Sequence, residues 1–208
     1  MRAVIFGAVL MFAAAATAGE PNSPQDKIGK NVQKYFDTVF AGLKAVADKK
    51  PTVDTFREAM APFEGKTAGF YGGTLIDKNF VIVQVYYRTH FLAKGFDLKK
   101  VAELKDFWKQ MKTDPKPQLS EPGHGSIMQP KLIAMRYPVL DADKKLVCIV
   151  STMIRTENFL ADSGLDKCTA YRITCLGKVA EENGVLSSKC RKVSLSLPST
   201  TWVIEYDE

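Results

Sequence analysis

Only two histidines, His90 and His124, occur in 208 residues, and neither stands in a motif that catalysis uses. His-Glu-x-x-His, a Gly-x-Ser-x-Gly elbow and a glycine-rich loop leading into a helix are all missing. That removes the usual sequence supports for a zinc peptidase, a serine hydrolase or a nucleotide-binding fold. Cysteine is confined to the last third, at 148, 168, 175 and 190. The steps of 20, 7 and 15 residues lack the short paired spacings of a zinc site, and no Cys-x-x-Cys-His exists to attach haem. Long basic runs are missing too. Lys49-Lys50, Lys99-Lys100, Lys144-Lys145 and Arg191-Lys192 are separated pairs, so the net charge of +6 reads as a solvated surface. A nucleic-acid groove would need a basic run interleaved with stacking aromatics. Asp141-x-Asp143 offers too few oxygens for calcium, and no carboxylate spacing argues for an acid–base pair. The expectation is a protein that is not an enzyme and carries no cofactor or metal.

What is present begins with an export signal. Arg2, an apolar stretch over 3–16 and Ala16-Thr17-Ala18 form the three parts of a secretory signal peptide, with cleavage expected after Ala18. The apolar run is short for a membrane span, which needs ~20 residues, and no later run is longer. The mature chain is therefore expected to be soluble, in the periplasm or secreted. An even cysteine count in an exported chain reads as two disulfides.

Ser23 and Pro24 read as the start of a helix over about 25–50. Ile28, Val32, Tyr35, Phe36, Val39, Phe40, Leu43 and Val46 give it one broad apolar stripe, and Pro51 stops it. A short helix with Phe56, Ala59 and Met60 follows. Strands are expected over 71–76 and 80–87, turning at Asp77-Lys78-Asn79. Alternation over 80–87 places Val81, Val83, Val85 and Tyr87 on a core face, and Gln84, Tyr86 and Arg88 on the other. Asp97 reads as the cap of a helix carrying Leu104, Trp108 and Met111. Prolines 115, 117, 122 and 130 make 113–130 a long loop. A second hairpin is expected over 132–140 and 146–154, and Thr156 caps a short helix. The tail reads as a third hairpin, 170–179 against 186–197, and a last strand over 202–206.

Leu119-Ser120-Glu121-Pro122, then Pro130 through Val139, the Asp141–Lys145 turn, and Leu146 through Ile154 resemble the distal half of a Cache domain. Cache domains are the extracytoplasmic, PAS-like sensor modules of bacterial receptors. The long helix, hairpin and Trp-bearing helix upstream agree with that pattern over roughly residues 25–160. The resemblance implies an α+β fold: an antiparallel PAS/Cache-like sheet with a long N-terminal helix, here with an extra disulfide-bearing C-terminal β-hairpin. It divides the chain into a signal peptide (1–18), a sensor domain (19–165) and a hairpin with a final strand on the same domain (166–208). Two features depart from the amino-acid-binding members. Trp108 lacks an Arg-x-Trp-Tyr context, and Ser151-Thr152-Met153 holds no acid for an ammonium group. Transmembrane helices and a signalling module are also missing, so a separate membrane or envelope signalling protein is the implied partner.

A ligand pocket is expected on the sheet face away from the long helix. Gln84, Tyr86 and Arg88 would line it with Arg136, beside the small Ala134. Trp108 and the loop around His124 would close over it. A cationic pocket with aromatic walls suits a carboxylate or another small anion. The alternative is an envelope protein-interaction or structural module without a small ligand. In the tail, a hairpin symmetric about Glu182-Asn183 puts Cys175 opposite Cys190 and leaves Cys148 to pair with Cys168. A turn at Asn183-Gly184 instead puts Cys175 opposite Lys192.

Overall fold

The computed structural model describes residues 26–87, 94–123 and 130–208. The signal-peptide expectation, Ser23, Pro24, Arg88, His90 and His124 lie outside the described residues.

Helix α1 (Lys27–Asp48) carries the anticipated stripe, and Ile28, Val32, Tyr35, Phe36, Val39, Phe40, Leu43 and Val46 are all buried. Its cap is Asp26 rather than Ser23. The Asp26 carboxylate accepts from the Gly29 amide at 2.8 Å and from the Tyr206 hydroxyl at 3.0 Å. One contact thus caps the helix and fastens it to the last strand. Helix α2 (Phe56–Glu64) follows, then β1 (Phe70–Asp77) and β2 (Ile82–Tyr87). The Asp77 carboxylate accepts from the amides of Asn79 and Val81 and holds the turn between them.

Helix α3 is Lys105–Thr113, and β3 is only Gln118–Leu119. Strands β4 (Leu132–Leu140) and β5 (Leu146–Arg155) form the expected hairpin. Helix α4 (Thr156–Ser163) comes next. Thr156 does not cap it: the cap position is Arg155, and the Thr156 hydroxyl is buried without a partner. These five strands form one antiparallel sheet in the order β2-β1-β5-β4-β3. No helix among the described residues is long and apolar enough to cross a membrane.

The tail corrects the third-hairpin expectation. Strands β6 (Ala170–Cys175), β7 (Lys178–Asn183), β8 (Arg191–Leu197) and β9 (Thr200–Asp207) form a second sheet, ordered β7-β6-β9-β8. The chain turns at Leu176-Gly177, both at positive φ, so β6 pairs with β7 and not with β8.

Both sheets pack on α1 around an aromatic knot. Phe36 stacks on Phe159 at 5.1 Å and meets the edge of Trp202 at 5.1 Å. Such pairs add ~0.5–1.5 kcal/mol each beyond their buried area.

All four cysteines are free thiols, which corrects both expected disulfides. Cys175 faces Trp202 on β9, whereas Arg191, next to Cys190, faces Tyr206 four residues along. That offset is roughly 13 Å of strand. Cys148 lies against the Pro51 carbonyl, beyond the end of α1. Cys168 bonds to the Gly164 carbonyl, and Gly164 abuts Ile28 at the start of the helix. The length of α1, roughly 30 Å, separates the two. A disulfide needs Cα atoms within about 7 Å.

Candidate functional site

Strand alternation gives the five-stranded sheet two faces. Leu75, Val150, Met135 and Leu119 point toward α1. Their neighbours Thr74, Ser151, Arg136 and Gln118 point the other way. Registers Val85↔Thr74, Thr74↔Ser151, Arg136↔Ser151 and Gln118↔Arg136 place five side chains in one transverse row across all five strands. Thr74, Ser151 and Gln118 are buried. One row along, Gly72 and Ala134 flank Met153 and keep that part of the face low.

Beside this polar row lies a small apolar cluster of Ile76, Phe80, Ile82, Val85, Phe107, Met111 and Ile149, with Trp108 packed against it. Helix α3 supplies Phe107 and Met111, one turn apart, so its apolar side closes on the sheet. The Arg136 guanidinium lies 4.3 Å from the centre of the Phe107 ring. Arg136 is half-buried, and the partial loss of water around its guanidinium holds its pKa down at about 10. No described carboxylate pairs with it. Two further donors on this side of the sheet are buried without acceptors: Gln118 Nε2 and Trp108 Nε1. Two unmet buried donors beside a guanidinium that no described carboxylate faces favour an acceptor-rich, anionic guest.

Gln84 and Tyr86 do not join this row. Ile76 faces Ile82, but Leu75 faces Gln84, so a bulge at Val83 inserts an extra residue and reverses the faces beyond it. Gln84 Nε2 donates to the Val53 carbonyl at 3.0 Å, and the Tyr86 hydroxyl donates to Glu64 at 2.6 Å. Both therefore serve the α2 side of the sheet. Arg136 and Trp108 share the opposite side. Three residues of the site went unassigned in the sequence: Gln118, hidden among prolines, and Thr74 and Ser151, whose significance lies only in register. Phe107 was detectable from its four-residue spacing to Met111.

No family model matches the sequence, and no curated protein matches it. Solved structures do match the fold. An extracellular ligand-binding receptor from Desulfohalobium retbaense superposes with a TM-score of 0.63 at 13% identity, over 86% of this chain and 39% of its own. This chain thus spans about two fifths of that receptor. The ligand-binding domain of a Pseudomonas aeruginosa amino-acid chemoreceptor, in complex with GABA, gives 0.60 at 14% identity, over 86% of this chain and 93% of that one. The ligand-binding domain of a Pseudomonas fluorescens chemoreceptor, in complex with L-valine, gives 0.62 at 14% identity, over 86% and 91%. The fold is that of Cache-like extracytoplasmic sensory domains.

Proposed function

We propose that the chain is an exported sensing or binding domain for a small carboxylate, without catalysis of its own, that signals through a separate membrane or envelope protein. The observation that carries this reading is Arg136, a half-buried cation on the sheet face with an aromatic ring beside it and no carboxylate paired with it among the described residues. Such a cation has already given up part of its hydration in folding, so an arriving anion meets a partner whose desolvation is partly complete and gains a charge-assisted hydrogen bond.

The matched chemoreceptor domains are described with GABA, isoleucine, alanine, leucine and valine. Every one of those ligands has a carboxylate, which Arg136 and Gln118 suit. Every one also has an ammonium group, and the row Val85, Thr74, Ser151, Arg136, Gln118 supplies no acid for it. The favoured ligand is therefore a short carboxylate without an amino group.

The test is a thermal-stability screen of short mono- and dicarboxylates beside their amino-acid counterparts. A ligand at a hundred times its Kd stabilises by ~2.7 kcal/mol, which is read easily as a shift in Tm. Carboxylates should shift the parent protein and leave Arg136→Gln unmoved. Equal shifts in the two proteins, or a response only to amino acids, would reject this assignment.

A further inference from the structure

A second concavity lies on the α1 side of the sheet, away from Arg136. A groove of about 500 Å³ runs between α1 and α2. Its floor is buried and apolar, with Val39 and Val46 from one helix and Ala59 and Phe63 from the other. The helices converge at Gly42, where a β-carbon would stand 2.8 Å from the Phe63 ring. The outer wall carries short side chains, among them the exposed Ala45. The volume falls within the range of small-molecule pockets, ~300–1,000 Å³.

Three exposed lysines, Lys34, Lys49 and Lys66, line the rim, and none has a carboxylate partner among the described residues. Asp162 is the single acid in the lining. Lys34 and Lys66 mark one end of the groove, because Tyr35 donates its hydroxyl to the Ala68 carbonyl, two residues from Lys66. Lys49 marks the other end, roughly 22 Å along the axis of α1 at 1.5 Å per residue. Lysine stems lie readily along apolar surface while their ammonium groups reach out.

We propose that this groove binds a free long-chain carboxylate, with its acyl chain along α1 between Val39 and Val46 and its head group between Lys34 and Lys66. An apolar trough alone would equally accept a second copy of the protein. Charge decides against that, because a second copy on this face would bring its own three lysines against these. An amphiphile with one negative end matches both the trough and the two lysines at one end of its rim. Each methylene it buries should tighten binding roughly fourfold.

Isothermal titration of the purified protein with octanoate, decanoate and dodecanoate, below their micellar concentrations, tests this. Dodecyltrimethylammonium is the control of opposite charge. The expected result is a roughly fourfold gain per added methylene and no binding of the cation. Ala45→Trp fills the trough from an exposed position and should abolish binding. Lys34→Glu with Lys66→Glu should weaken it at least tenfold while leaving the thermal midpoint unchanged. Absent dodecanoate binding, or binding untouched by both changes, overturns the proposal. Binding lost in Arg136→Gln but kept in Ala45→Trp assigns the carboxylate to the sheet face and also overturns it. Dimerisation that Ala45→Trp abolishes, without dodecanoate binding, assigns the groove to a second copy.

Discussion

The Arg136 guanidinium sits 4.3 Å from the Phe107 ring, and this contact joins the middle of the sheet to helix α3. It is a cation–π contact, worth ~0.5–2 kcal/mol, and it only partly offsets the removal of the cation from water. Arg136→Met keeps the length of the side chain and discards its charge. It should raise stability by about 1 kcal/mol in urea unfolding while abolishing any carboxylate response. A fall in stability would show that Arg136 serves the fold rather than a ligand.

Lys131 and Glu181 connect the two sheets. The Lys131 ammonium donates to both Glu181 oxygens, at 3.0 and 2.9 Å, and the Glu181 side chain is only 7% exposed. Lys131 is half-exposed, so the pair is screened on one side and its loss is smaller than for a fully buried pair. Lys131→Met should destabilise by about 1–2 kcal/mol, because a buried carboxylate loses the cation that pairs with it. Adding Glu181→Gln should recover most of that loss. Chemical unfolding of the single and double variants measures it, and equal losses in both would show that the pair does not act as a unit.

Legibility in the sequence followed local chemistry. The β4–β5 hairpin was readable because two apolar runs flank an Asp-rich turn, where the Asp141 side chain accepts from the Lys145 amide, and the arms pair without a shift from Leu132 to Val139. Arg136, read on that hairpin beside Ala134, lies on the sheet face away from α1. Alternation failed on β2, where the bulge at Val83 moved Gln84 and Tyr86 to the α2 side. Nothing in the side chains of 82–85 announces an extra residue there. Gln118 was hidden because prolines at 115, 117 and 122 read as loop, although two residues between them pair with β4. The tail misled in the opposite sense. Asn183-Gly184 is a strong hairpin signal, yet the chain turns earlier, at a leucine.

That leucine yields a prediction. Leu176 holds φ at 49° and is 80% exposed at the tip of the two-residue β6–β7 turn. A branched apolar residue in the left-handed region is strained, and asparagine is tolerated there much better. Leu176→Asn should raise stability by roughly 0.5–1 kcal/mol, visible as a higher Tm. A lower Tm would show that the leucine contributes packing that its exposure conceals.

The buried thiols predict how the protein fails in base. Burial pushes the Cys148 thiol up from 9.0 to about 11 and the Cys175 thiol up to about 12. It likewise raises the Tyr171 and Tyr206 hydroxyls from 10.0 to about 12. In each case the folded protein favours the neutral form. The stability this contributes is intact below the ordinary pKa and is lost as pH climbs through the folded value. Stability should therefore hold to about pH 9 and then fall steadily between pH 9 and 12. The cysteines govern the start of that fall, since an unfolded thiol ionises before an unfolded tyrosine. Cys148→Ala with Cys175→Ala should thus flatten the stretch from pH 9 to 10 and leave the later decline in place. Thiol titration provides an independent check. Of the four, Cys190 alone is not buried and should react in the native protein, whereas Cys148, Cys168 and Cys175 should wait for unfolding. Rapid native labelling of Cys175 would contradict its place against Trp202, and with it the β6–β9 register on which the second sheet depends.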